Sequence, residues 1–202
     1  CQLGLGGILS DDMGLGKTVQ SIALIHCFLK TENYPPHLIV VPTSLTYNWK
    51  QEFSKFSPNI DVCVFEGLRK PTYQELWDSE PPQVVIVTYG LLLEHQEFFN
   101  SLNWGITFFD EAQNLKNIKA QRRQVAKELN STNKIALSGT PIENHYGEFF
   151  SILDLCVQGS LGSYKDFMGI FGSMTKGNVD SKFLMEEISF LKEKVKPLVL
   201  RR

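Results

Sequence analysis

The chain has 202 residues, and its 20 Lys and Arg against 22 Asp and Glu give a net charge of −2, which is not the signature of a dedicated nucleic-acid binder. That length suits one large α/β domain or two small ones and lets the fold bury roughly 70% of the surface its unfolded chain exposes. Cysteines at positions 1, 27, 63 and 156 form no Cys-x-x-Cys pair, no apolar run approaches the ~18 residues of a membrane span, and there is no signal-peptide start, so a soluble protein of a reducing, intracellular compartment is expected.

Taken in chain order, β-rich apolar runs at 7–10, 38–41, 62–65, 84–88, 106–110 and 134–138 alternate with helical patterns. Such alternation predicts a mostly parallel sheet with helices on both faces, and each motif below falls at the carboxyl end of a strand, where ligand crevices of open α/β sheets lie. The first run opens into Asp11-Asp12-Met13-Gly14-Leu15-Gly16-Lys17-Thr18. A glycine-rich turn ending in Gly-Lys-Thr is built to hold a triphosphate: backbone N–H groups cradle it, Lys17 reaches the outer phosphates, and the Thr18 hydroxyl can ligate magnesium. The usual G-x-x-x-x-G-K-[ST] pattern has glycine where this chain has Asp11.

A helix from about Lys17 then carries Ile22, Ile25 and Leu29 on one face, and Leu45, Trp49 and Phe53 recur every four residues, so Trp49 is expected in the core. The run Ile106-Thr107-Phe108-Phe109 ends in Asp110 and Glu111, as a buried strand carrying a metal-binding carboxylate should. Asp110 would hold magnesium and Glu111 would orient or deprotonate the attacking water, the three parts that phosphoryl transfer requires being a cradle, a metal and a placed water. After this pair the spacings of Lys116, Lys119, Arg122 and Arg123 predict cations on one helix face. Phe149, Phe150, Leu153 and Leu155 suggest a packed helix, the pattern loosens over 159–180, and 183–194 reads as a charged helix. The expected division is therefore a lobe over 1–158 and a glycine-containing helical appendage over 159–202.

The segment from Asp11 to Thr18, the Asp110-Glu111-Ala112-Gln113 box, and Leu137-Ser138-Gly139-Thr140-Pro141-Ile142-Glu143-Asn144 together resemble the Swi/Snf-type DNA-dependent ATPases of helicase superfamily two. In that family the spelling without the first glycine is the normal one. The resemblance continues through Val41-Pro42-Thr43-Ser44-Leu45 with Asn48, Trp49 and Glu52, through Val87-Thr88-Tyr89, and to Pro197-Leu198-Val199-Leu200-Arg201-Arg202, so it covers nearly the whole chain. The Pro-Thr-Ser-Leu and DEAQ-Asn spellings look most like the bacterial and archaeal branch.

The resemblance implies the N-terminal RecA-like lobe of an ATP-driven, magnesium-dependent motor that tracks along double-stranded DNA and displaces or remodels bound protein, RNA polymerase among the conceivable targets. Asp12 to Thr18 would bind nucleotide, Gln113 would sense the γ-phosphate, and Ser138 with Thr140 would relay the nucleotide state. Thr43, Ser44, Thr88 and Tyr89 are the carried-over DNA candidates, joined by Lys119, Arg122 and Arg123 from the cationic run. A second RecA-like lobe, toward which Arg201 and Arg202 would mark the exit, would supply arginine fingers, so the 202 residues alone are expected to be nearly inactive. The compartment would be the cytoplasm, at the nucleoid, for a bacterial protein and the nucleus for a eukaryotic one. Alternatives are a strand-separating helicase or restriction-type translocase, and a nucleotide-gated DNA or protein binding module without turnover. A small-molecule kinase fits worse, because it would not require the DEAQ box followed by Ser-Gly-Thr.

Overall fold

The computed structural model describes residues 6–12, 14–30, 34–67, 75, 77–139, 146–172 and 181–202. Seven strands form one sheet: β1 (Gly7–Leu9), β2 (His37–Val41), β3 (Val62–Val64), β4 (Val84–Thr88), β5 (Asn103–Phe109), β6 (Asn130–Leu137) and β7 (Val199–Leu200). Their order is β3-β4-β2-β5-β6-β1-β7, and every pairing is parallel. The helices that accompany them include α1 (Lys17–Phe28), α2 (Thr46–Phe56), α3 (Tyr89–Glu94), α4 (Gln96–Ser101), α5 (Gln121–Glu128), α6 (Tyr146–Cys156), α7 (Tyr164–Phe171) and α8 (Ser181–Val195). Two 3-10 turns, Thr43–Leu45 and Ala112–Leu115, follow β2 and β5.

The central strands are apolar on both sides because both faces are covered. Successive side chains point to opposite faces, so β2 sends Leu38 and Val40 one way and Ile39 and Val41 the other, and β4 divides Val85 and Val87 from Val84 and Ile86. On the first face they meet Ala126 of α5 and Ile152 and Leu153 of α6; on the second they meet Ile22 and Ile25 of α1 and Trp49 and Phe53 of α2. The two-faced parallel sheet expected from the sequence is thus the architecture, with all six expected strands present.

The segment expected as an appendage differs in one respect. Phe167 and Phe171 of α7 and Leu191 of α8 pack with Phe150 of α6 in a separate small cluster, as a helical addition would. Residues 198–200, however, return to the sheet: Ile8 N–H donates to the Leu198 carbonyl at 2.8 Å and Ser10 N–H to the Leu200 carbonyl at 2.8 Å. A boundary at 158 therefore cuts off a strand of the same sheet. Glycine permits this close approach, since a Cβ on Gly7 would lie 2.7 Å from the Leu198 carbonyl oxygen.

Candidate nucleotide site

β1 delivers the chain into the glycine loop, and α1 begins at Lys17, so the loop wraps a helix N-terminus whose first N–H groups have no partner within the helix. Gly14 and Gly16 have φ of 88° and 70°, a left-handed backbone that β-carbon-bearing residues rarely adopt. A Cβ built on Gly14 would meet nothing within 4 Å, and one on Gly16 only the Val19 Cβ at 4.0 Å, so both glycines face open space. Lys17 Nζ is folded back on the loop, donating to the carbonyls of Asp11 at 2.8 Å and Asp12 at 3.2 Å. Thr18 is half-buried beside it. Met13 lies outside the described residues.

β5 ends at Phe109, and Asp110 N–H still bonds the Val40 carbonyl of β2 at 2.9 Å, so the sheet itself fixes this carboxylate. Asp110 Oδ2 accepts the Trp49 indole N–H at 2.8 Å, Oδ1 accepts the Glu111 N–H at 2.9 Å, and the Tyr89 hydroxyl donates to the Asp110 carbonyl at 2.8 Å. Burial nonetheless dominates and pushes the Asp110 carboxyl above the ordinary carboxylate range. Glu111 has φ of 49°, a left-handed conformation costly for a residue with a Cβ, held by Asn114, whose N–H and side-chain amide both donate to the Glu111 carbonyl. Gln113 Nε2 donates to the Glu111 carboxylate, and Ser138 Oγ donates to Gln113 Oε1 at 3.3 Å. Glu111, Gln113 and Ser138 are therefore one hydrogen-bonded chain running from the cleft to the end of β6.

Gly14, Gly16, Lys17, Thr18, Asp110 and Glu111 line a single cleft of about 420 Å³. A helix N-terminus, an ammonium, a hydroxyl and a carboxylate around two glycines that face open space suit a polyphosphate with a hard cation, which takes few protein oxygens and completes its shell with phosphate and water. Trp49 is buried in the core as expected, but its hydrogen bond to Asp110 gives it a second task that hydrophobic periodicity cannot reveal.

The remaining candidates divide. Thr43 and Ser44 are exposed in the turn after β2, and Lys119 and Arg122 are exposed after β5. Thr88 is half-buried and its hydroxyl caps α3 by accepting the Leu91 N–H at 3.2 Å. Tyr89 is 5% exposed with its hydroxyl on Asp110, so it faces the core and not a ligand surface. Arg123 is corrected in the same way: it is 3% exposed, with Nε and Nη2 on the Ser151 carbonyl at 3.2 and 3.1 Å and Nη2 on Asp154 Oδ2 at 2.9 Å.

Nor do the four cations share a helix face. Lys119 N–H donates to the Asn117 side chain at 3.0 Å, Ala120 N–H to its carbonyl at 3.0 Å, and α5 begins only at Gln121. That turn redirects the chain, and Lys116 pairs with Glu148 at 3.0 Å. Thr140 and residues 141–144 lie outside the described residues.

The profile of the SNF2-related domain family matches residues 1–202. The chain belongs to that family. The SNF2-related chain superposes on the Sulfolobus solfataricus SWI2/SNF2 ATPase core in complex with dsDNA with a TM-score of 0.86 at 37% identity, covering 100% of this chain and 41% of that one. It is 34% identical over 204 residues to Helicase domino of Drosophila melanogaster, and 32% identical over 203 residues to the human SWI/SNF-related matrix-associated actin-dependent regulator of chromatin subfamily A member 1. Each of those matches takes in 98% of this chain, which spans 6% and 19% of the respective relatives. The all-parallel sheet is thus the RecA-like fold of the SWI2/SNF2 ATPase core. Among the described residues of this SNF2-related lobe, no helix is long and apolar enough to cross a membrane.

Proposed function

We propose that the chain is the N-terminal ATPase lobe of an ATP-driven double-stranded DNA translocase that displaces or remodels DNA-bound protein. The observation that carries this reading is the continuous connection from Lys17 and Asp110 in one cleft, through Glu111 and Gln113, to Ser138 at the end of β6. A nucleotide-binding module needs only the loop. A motor also needs the contents of the cleft to be felt elsewhere, and a hydrogen-bonded chain that can be rewired is a physical means of doing so.

Lys17 would exchange the two loop carbonyls for the outer phosphates of ATP, and the amides of the loop and of the α1 N-terminus would hold the remainder. Thr18 and Asp110 are the residues that would hold magnesium, whose charge would offset that of the phosphates. Glu111 would orient the attacking water and draw its proton. Gln113 reports on Glu111 because its amide bridges that carboxylate to Ser138. A second RecA-like lobe would oppose the cleft with arginines worth about 10³ to 10⁵ in rate, so the lobe alone is expected to turn over ATP hardly above background. Exposed Thr43, Ser44, Lys119 and Arg122 remain the candidates for meeting a phosphate backbone, which a chain of net charge −2 would grip through hydroxyls and a few cations.

The similarity to an ATPase core in complex with dsDNA supports the choice of polymer. The test is to give the full-length protein a duplex carrying a bound protein and ATP. Protein displaced while the strands stay paired is the expected result; strands separated without a roadblock being cleared would favour a helicase, and the absence of both would favour a nucleotide-gated binding module.

A further inference from the structure

Asp11 occupies the position that the usual phosphate loop gives to glycine, and its carboxylate is 1% exposed. It is held from two directions. Arg202 donates its backbone N–H to Oδ1 at 2.9 Å and its guanidinium to Oδ2 at 3.1 Å, and Gln20 Nε2 donates to Oδ2 at 3.1 Å. The same Gln20 amide bonds the Leu15 carbonyl at 3.0 Å, and Gln20 Oε1 accepts from the Arg202 guanidinium. One cluster thus joins the base of the nucleotide loop, its apex, the first turns of α1 and the segment that follows β7. Burial alone would raise the Asp11 carboxyl, but Gln20 and Arg202 outweigh it and keep it below the ordinary carboxylate range.

A buried anion at the base of a loop built for a polyanion opposes binding unless it is neutralised on site. The neutralising cation here lies 191 residues away in sequence and reaches Asp11 only because residues 198–200 pair with β1. We propose that Arg202 is a positioning residue for ATP: docked on Asp11 it cancels the carboxylate and fixes the loop in its nucleotide-accepting shape, and withdrawal of the Val199–Leu200 strand weakens ATP binding. In the two-lobe protein proposed above this segment runs on toward the second lobe, so lobe movement and nucleotide affinity are coupled through it, in both directions by thermodynamic reciprocity.

The inference rests on the reading of residues 11–18 as an ATP site, and the experiment separates the two. In the full-length protein, KM for ATP and kcat are measured with saturating DNA for wild type, Arg202→Lys, Arg202→Gln and the double variant Asp11→Asn/Arg202→Gln, with a thermal melt of each. Arg202→Gln should raise KM about tenfold, the effect of one charge-assisted hydrogen bond discounted for the exposed guanidinium, with kcat changed by less than about threefold. Arg202→Lys should recover most of the affinity. The double variant should recover it too, because neutralising Asp11 removes what Arg202 was cancelling; a purely structural contact would instead show as a lowered melting temperature of Arg202→Gln with KM for ATP unmoved. An unchanged KM in Arg202→Gln, or a double variant no better than the single, would overturn the proposal while leaving the ATP site standing. Failure of the wild type to bind ATP would overturn both.

Discussion

Trp49→Phe isolates what the indole N–H does for Asp110. The residue is 1% exposed and packs against Phe53, and phenylalanine keeps most of that contact, so the void left should cost about 1–2 kcal/mol of stability. The lost hydrogen bond is of a different kind. Among the described residues Asp110 has two donors to its carboxylate, Trp49 at 2.8 Å and the Glu111 N–H at 2.9 Å, and the first alone restrains Oδ2. A hydrogen bond to a charged acceptor is worth about 1.5–3 kcal/mol, and partners that orient a metal-binding carboxylate typically govern tenfold or more in affinity. The cleft is open to water, which can replace part of the lost donor, so the lower end applies. The half-saturating magnesium concentration for ATP turnover in the full-length protein should rise about tenfold, while kcat at saturating magnesium stays within about threefold. A folded Trp49→Phe protein whose magnesium dependence matches wild type within twofold would refute the role assigned to this hydrogen bond.

Arg123→Ala should destabilise the lobe by about 2–4 kcal/mol in urea denaturation, because it strands the Asp154 carboxylate with only Lys127 Nζ, at 3.2 Å, and the Gly159 N–H, at 3.1 Å; Arg122→Ala, an exposed neighbour, should stay within about 0.5 kcal/mol. Glu111→Gln should leave ATP affinity nearly unchanged and slow turnover at least a hundredfold, read by equilibrium binding beside single-turnover hydrolysis in the full-length protein; lost binding with normal turnover per bound ATP would make Glu111 a ligand and not the water-orienting group. Burial depresses His37 to about 4, and its Nδ1 accepts the Ile106 N–H at 3.1 Å, so the native state keeps this imidazole neutral while the unfolded chain protonates it near its ordinary value of 6.5. The unfolded state then binds more protons below 6.5, and stability should fall by about 2 kcal/mol between pH 7 and 5, a loss that a His37→Gln variant should largely remove.

The parts of the molecule legible in sequence are those whose signal is local. Buried β-branched runs such as His37–Val41 and Val84–Thr88 announce themselves, and Gly-Lys-Thr and the adjacent Asp110 and Glu111 mark a cleft because the chemistry demands those residue types at strand ends. What escaped depends on partners remote in sequence. β7 has two residues, too few to show a period, and Gly7 of β1 lets the chain just before it approach. Arg123 looks like a surface cation until Ser151 and Asp154 of α6 close over it, and the spacing that seemed to align it with Lys116 and Lys119 assumed a helix that the turn at Asn117 prevents. Trp49 was readable as core and Tyr89 only as a DNA candidate, but the hydrogen bonds through which they fix Asp110 span 61 and 21 residues.

The most direct test of the central claim is ATP turnover by the full-length protein with and without double-stranded DNA, alongside Lys17→Ala. Lys17 lines the cleft with Asp110 and Glu111 and its ammonium is already drawn to the oxygens of the loop. The account predicts magnesium-dependent hydrolysis that duplex DNA stimulates at least tenfold, and a Lys17→Ala protein that melts like wild type yet binds no ATP at concentrations that saturate the parent. Hydrolysis indifferent to DNA, or a Lys17→Ala variant that binds and turns over ATP normally, would contradict it.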